Sequence, residues 1–185
     1  MDTFLEYLMR KKPTGKDVLN KLFLVVTAIF ICILLVGWAH ILGTIAFFGI
    51  VAVVYGLMVL LRRYNLEFEY IFTNGDLDVD VIQARQNRKR LISLSCKDIE
   101  VMASAKNADH KSAFETPSIS KKYDAVFDYA KGGIYHILFV HDGEQLLLTF
   151  QPPAKLLAAM QKMNPRCVFV DAEDKEISET TPVNK

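Results

Sequence analysis

The densest chemistry in the chain is a basic run, Ala84-Arg85-Gln86-Asn87-Arg88-Lys89-Arg90, which follows an acidic alternation, Asp76-Leu77-Asp78-Val79-Asp80. Clustered guanidinium and ammonium groups grip phosphate, so Arg85, Arg88, Lys89 and Arg90 are candidate ligands for a lipid headgroup or another anion. Their structural alternative is a solvated strand connection whose charges offset an acidic sheet face. No aromatic residues interleave with the cluster, so single-stranded nucleic acid is not an expected partner. The acidic alternation imitates the start of a calcium loop, but Val81 and Asn87 stand where that loop needs glycine and glutamate. It reads as a solvated strand face instead. His136 and His141 lack a third ligand at a defined spacing, and no metal site is expected. Cys32, Cys96 and Cys167 are far apart without CxxC spacing, which points to buried thiols in a reducing compartment. No nucleophile elbow, HExxH, P-loop or dinucleotide fingerprint occurs, so neither catalysis nor a cofactor is expected.

The elements that position these groups follow from periodicity. Leu66 to Thr73 alternates aromatic residues with acids, and Asn74-Gly75 is a strong hairpin signal. A two-residue turn there pairs Phe72 with Leu77, Tyr70 with Val79 and Phe68 with Val81, all on one apolar face. Glu67, Glu69, Asp78 and Asp80 share the other face, and Glu69 opposes Asp80. Like charges across a strand pair are destabilising, so a nearby cation from the basic run is expected to relieve them. Leu91 to Cys96 reads as a third strand with Ile92, Leu94 and Cys96 inward, and Lys97 to Met102 as a fourth. Ser104 to Lys122 reads as a long surface loop with at most one helical turn, anchored by Phe114. Tyr123 to Tyr129 alternates again. Asp142-Gly143 then closes a second hairpin that pairs Tyr135 with Phe150, Ile137 with Leu148 and Phe139 with Leu146. Pro152-Pro153 opens a helix with a stripe of Leu156, Leu157, Met160 and Met163, which Asn164-Pro165 ends. Cys167 to Val170 reads as a short strand.

What precedes this β-rich half decides where it works. Leu22 to Leu61 contains no Lys, Arg, Asp or Glu. About 20 apolar residues cross the hydrocarbon core, so the run suffices for two spans, about Leu22–Gly37 and Thr44–Leu61, with Trp38 and His40 in the turn. The run is too long for a secretory signal and is expected to be retained. Arg10, Lys11, Lys12, Lys16 and Lys21 precede the first span, Arg62 and Arg63 follow the second, and the turn has neither Lys nor Arg. That bias predicts a multi-pass plasma-membrane protein with both termini cytoplasmic. Net charge is only +1, so the bulk total selects no partner. Met1 to Arg10, with Phe4, Leu5, Leu8 and Met9 at helical spacing, reads as an amphipathic helical segment that lies on the membrane surface or packs on the soluble domain, the surface being preferred. Gly37, Gly43, Ala46, Gly49, Ala52 and Gly56 permit close helix approach and hence a homo-oligomer.

Together these elements define an N-terminal amphipathic and basic segment (1–21), a transmembrane helical hairpin (22–63), a cytoplasmic β domain (64–171) and a polar tail (172–185). Two spans, then Glu69-Tyr70-Ile71-Phe72-Thr73-Asn74-Gly75-Asp76-Leu77, the Arg88-Lys89-Arg90 stretch and Ser93 to Met102, resemble bacterial PH-like membrane proteins of a two-span family of unknown function. The resemblance extends over roughly residues 20 to 170. It implies an α+β membrane protein: the hairpin, then a strongly bent antiparallel sheet or barrel of about seven strands closed by one C-terminal helix. Phosphoinositide-binding PH domains carry basic residues between their first two strands, where this chain has a tight turn, so that ligand mode does not transfer. The expected role is a membrane-anchored interaction scaffold with the bilayer and an unidentified protein as partners, the alternative being a sensor of anionic lipid.

Overall fold

The computed structural model describes residues 3–171; the expected polar tail and the first two residues lie outside this range. The described chain divides into two compact units. One contains the residues up to Lys11, Glu67–Ile82 and the chain from Arg88 onward, and the other contains Lys12–Leu66 with Gln83–Asn87.

In the helical unit, α1 (Gly15–Gly37), α2 (Ala39–Leu42) and α3 (Thr44–Arg63) follow one another with only Trp38 and Gly43 between them. The Asp17 carboxylate accepts the Thr14 N–H at 3.0 Å, satisfying a donor that the helix start would otherwise orphan. Gly43, at φ +54°, makes the reversal into α3. α1 and α3 pack closely enough that a Cβ on Gly49 would meet Leu35 at 3.2 Å. Both helices are long and apolar enough to cross a membrane, and only 6% of each apolar window is buried. Phe23, Phe30, Ile33, Phe47, Phe48 and Tyr55 are each more than half exposed. An apolar surface of that extent needs a cover, and acyl chains supply it.

The second unit holds two four-stranded sheets. Sheet A has the order β1-β2-β3-β4, with β1 (Phe4–Arg10), β2 (Leu66–Thr73), β3 (Asp76–Gln83) and β4 (Asn87–Ser95). Sheet B has the order β5-β7-β8-β6, with β5 (Ile99–Ser104), β6 (Ile119–Ala125), β7 (Tyr135–His141) and β8 (Glu144–Phe150). The helical turn α4 (Lys111–Phe114) lies in the β5–β6 connection, and α5 (Ala154–Met163) follows β8. The core contains Tyr70, Phe72, Leu77 and Val79 of sheet A, Tyr135, Ile137, Phe139, Leu148 and Phe150 of sheet B, and Leu156 and Met160 of α5. The Tyr70 hydroxyl donates to the Ala125 carbonyl at 2.5 Å and its ring meets Phe150 edge to face, so one side chain joins the two sheets. A smaller cluster of Ala103, Leu138 and Leu147 is covered by Phe114, as its role of loop anchor requires.

Several expectations are corrected. The sheets are not closed into a barrel, and among the described residues β1 joins the seven strands β2–β8 that follow the helices. The N-terminal segment is no surface helix: β1 pairs antiparallel with β2 from Phe4↔Thr73 to Arg10↔Glu67. Its side chains alternate, with Leu5, Tyr7 and Met9 against the core and Phe4, Glu6, Leu8 and Arg10 outward. A two-residue period thus prevails over an ambiguous helical one because a partner strand is available. The sixth strand starts at Ile119, not Tyr123, and runs parallel to β8, which makes sheet B mixed. The segment after Asn164 supplies one parallel bridge, Met102↔Val168, in place of a strand. The β7–β8 pairing matches expectation throughout, including Tyr135↔Phe150, Ile137↔Leu148 and Phe139↔Leu146. Asn74 and Gly75, at φ +51° and +103°, form the expected tight turn of the first hairpin.

Candidate functional site

The acidic face of sheet A and the basic run come together. Asp80 is 2% exposed and Glu69 6% exposed, although both lie on the face opposite the apolar core. Arg88 of β4 reaches Glu69 Oε2 with Nη2 at 2.5 Å and Asp80 Oδ2 with Nε at 2.6 Å. Arg90 Nε donates to Asp80 Oδ1, and its Nη1 lies 2.8 Å from Asp78 Oδ1. The Ser93 hydroxyl donates to the same Asp78 oxygen. These contacts put Arg88 and Arg90 outward while Ile92 and Leu94 point to the core, so the alternation of β4 changes phase between Arg90 and Ile92.

The charges are tightly balanced. Burial pushes the Glu69 carboxyl above the ordinary carboxylate range, Arg88 pulls it down, and the neighbouring Glu6 and Asp80 raise it further. The Asp80 hydrogen bond raises the Arg88 guanidinium, which stays charged. A cation relieving the Glu69–Asp80 repulsion is therefore found, and it comes from the basic run.

The four candidate anion ligands are divided between the two units. Arg85 belongs to the helical unit, whereas Arg88, Lys89 and Arg90 belong to the two-sheet unit. Ala84 and Arg85, at φ +54° and +59°, are the central pair of a left-handed turn closed by the Gln86 N–H on the Gln83 carbonyl at 3.1 Å. Neither residue is suited to that conformation. Within the helical unit the turn is fastened to the end of α3: the Gln83 side-chain amide donates to the Arg63 carbonyl at 3.2 Å, and the Ala84 N–H to Asn65 at 2.8 Å. Among the membrane-flanking cations, Lys16 and Lys21 lie inside α1, and the Lys21 ammonium sits 5.6 Å from the Tyr64 ring centroid. Arg62 reaches the Met58 sulfur at 3.7 Å. Arg10 belongs to β1 opposite Glu67, with Lys11 and Lys12 directly after it.

The histidines are dispersed. His136 Nδ1 lies 2.9 Å from the Thr149 hydroxyl, and its ring is 5.1 Å from that of Phe114. Burial and Lys122 lower its pKa. His141 lies 3.6 Å from Asp142, and His110 stacks on Phe169. Among the described residues no group of three His, Cys, Asp or Glu side chains could hold a metal. The three cysteines are free thiols, and burial pushes the Cys96 thiol up to about 12.

Sequence reasoning missed Phe4, Glu6 and Leu8 on the outer face of β1, where Phe4 is 62% and Leu8 57% exposed. Their signal was the alternation of polar and apolar residues with Leu5, Tyr7 and Met9, which a helical reading of the same ten residues hid.

Two apolar spanning helices joined to a two-sheet domain with a terminal helix define a two-span membrane protein of PH-like type. The family model described as "Bacterial PH-like domain (DUF6106)" matches residues 1–170, and the chain belongs to that family. No curated protein and no solved structure matches.

Proposed function

We propose that the chain is a non-catalytic interaction scaffold whose helical hairpin holds the two-sheet domain at the cytoplasmic side of the plasma membrane. The observation that carries this reading is the charge on the outer face of sheet A. Glu6, Glu67, Glu69, Asp76, Asp78 and Asp80 stand there against Arg10, Arg88 and Arg90. A surface with twice as many carboxylates as guanidiniums repels anionic headgroups, and Arg88 and Arg90 are committed to their own acids. Connectivity supports the orientation. β1 enters α1, α3 enters β2, and β1 pairs with β2, so two complete crossings return the chain to the face it left. The Lys and Arg bias at the outer ends of the spans supports a cytoplasmic placement of that face.

Proximity labelling in cells tests the reading, comparing the full chain with a variant retaining only residues 12–65. A neighbour set that depends on the two-sheet domain is expected, and identical sets overturn the proposal. Flotation of the reconstituted full chain is unsuited to the lipid alternative because the spans bind any bilayer. Neutral and anionic vesicles are therefore compared using the two-sheet domain alone. Equal flotation is expected, whereas an anionic preference removed by Ala at Arg85, Arg88, Lys89 and Arg90 favours lipid sensing.

A further inference from the structure

Among the described residues the two sheets have four edges, and three are guarded. The outer side of β5 is occupied by the 167–169 segment: the Met102 N–H donates to the Cys167 carbonyl and the Phe169 N–H to the Met102 carbonyl, each at 2.8 Å. β6 carries exposed Lys121 and Lys122, and β4 carries exposed Arg88, Lys89 and Arg90. Charges of this kind discourage strand addition. The β1 edge has no Lys and no Pro, its one cation, Arg10, stands at the end of the strand opposite Glu67, and it exposes Phe4 and Leu8 on either side of Glu6.

Its hydrogen-bonding groups are also in place. The Asn74 N–H donates to the Thr3 carbonyl at 3.0 Å, which fixes the phase of the β1–β2 ladder. Antiparallel pairing alternates, so Thr3, Leu5, Tyr7 and Met9 bond toward β2 while the N–H and C=O groups of Phe4, Glu6, Leu8 and Arg10 point away from it.

We propose that the β1 edge receives an extended segment of a partner protein, added as a fifth strand of sheet A, in which a Lys or Arg flanked at alternate positions by apolar residues faces Glu6. Main-chain bonds to Phe4, Glu6 and Leu8 give the affinity, and the side chains facing them give the selectivity. The acidic surplus of the outer face selects the basic residue, and Phe4 and Leu8 select its apolar neighbours. This inference rests on the scaffold reading and names the partner class for it.

The test uses the full chain in phosphatidylcholine nanodiscs and two fluorescein-labelled peptides of about seven residues, a usual strand length, alternating Val and Thr. One peptide has Lys at its centre and the other has Glu. Anisotropy is expected to show binding at least about tenfold tighter for the Lys peptide, a difference of about 1.4 kcal/mol. Glu6→Lys is expected to invert the preference, and Leu8→Lys to abolish binding. Amide exchange is expected to slow at Phe4, Glu6, Leu8 and Arg10 on binding, with Leu5, Tyr7 and Met9 protected from the start. Unchanged protection at those three certifies that a variant keeps its sheet; if Leu8→Lys fails this check, Glu6→Lys decides. No binding of either peptide, equal affinities, an unaltered preference in Glu6→Lys, or protection at another edge each overturns the proposal. A neighbour set that requires the two-sheet domain but ignores Glu6→Lys leaves the scaffold standing and removes this edge from it.

Discussion

Cutting the chain at the end of its spans severs the β domain from one of its own strands, and the penalty can be worked out. Residues 66–171 lack β1, whereas joining residues 3–11 to 66–171 through Asn-Gly keeps it. In the joined form Lys11 and Leu66 follow the last pair, Arg10↔Glu67, so a two-residue turn closes the hairpin naturally. β1 contributes seven paired residues and places half-buried Leu5, Tyr7 and Met9 against the core. Full burial of such a side chain is worth about 1.5–3 kcal/mol, so half-burial gives about 1 kcal/mol each. Partial uncovering of Phe68, Tyr70 and Phe72 adds about 1 kcal/mol in all, for a loss of about 3–5 kcal/mol out of the roughly 5–15 kcal/mol typical of a domain. With a guanidinium slope of about 4 kcal/mol per M, the unfolding midpoint of the β1-less form is expected about 1 M lower. Circular dichroism during guanidinium titration measures it. Midpoints agreeing within about 0.2 M refute the assignment of β1 to the domain and restore the boundary at residue 64.

Three further outcomes are expected. Tyr70→Phe removes the hydroxyl that the buried Ala125 carbonyl accepts and is expected to cost about 1–3 kcal/mol in the same titration, whereas no loss refutes its role in joining the sheets. Ala84→Asn with Arg85→Gly replaces two strained left-handed residues by the pair this turn prefers, and pulse proteolysis in detergent is expected to show a gain of about 1–2 kcal/mol; a loss contradicts the turn geometry. Glu69→Gln tests the acidic face through pH. The folded pKa of Glu69 lies above its ordinary 4.5, so its contribution is fully present below that value and is lost as pH rises through the raised one. The stability of the unsubstituted chain relative to Glu69→Gln is therefore expected to fall as pH rises above about 4.5, and a difference that rises or stays flat refutes the assignment.

Where a tight turn and a two-residue period coincide, the sequence dictates the pairing residue by residue, as Asp142-Gly143 does for β7 and β8. Long-range pairing was less legible. β1 meets a partner strand that begins beyond the entire helical hairpin, and its ten residues satisfy a helical pattern nearly as well as an alternating one. β6 joins β8 in parallel, an arrangement that no local turn announces. The counter-charge role of the basic run is legible in its composition, but its turn is not, because Ala-Arg is not a residue pair from which a left-handed turn is anticipated. Of the candidate site, the Glu69–Asp80 conflict was legible from register alone; the β1 edge was not, since an edge exists only once the order of the sheet is known.

The placement of the spans between two neighbouring strands also sets the order in which the domain can be completed. β1 is synthesised first but has no partner until β2 appears, with 56 residues separating Arg10 from Glu67. Closing a free loop of that length costs about 2 kcal/mol more than closing a four-residue one. A packed antiparallel pair of spans returns the chain to the side from which it started, so most of that cost is met when the hairpin inserts. Pairing of β1 with β2 is thus favoured after insertion and disfavoured before it. Until then β1 and β2 both present unpaired edges, and the same exposed Phe4 and Leu8 that fit a partner strand also make the uninserted chain prone to aggregate. Insertion and sheet completion are thus coupled through chain connectivity.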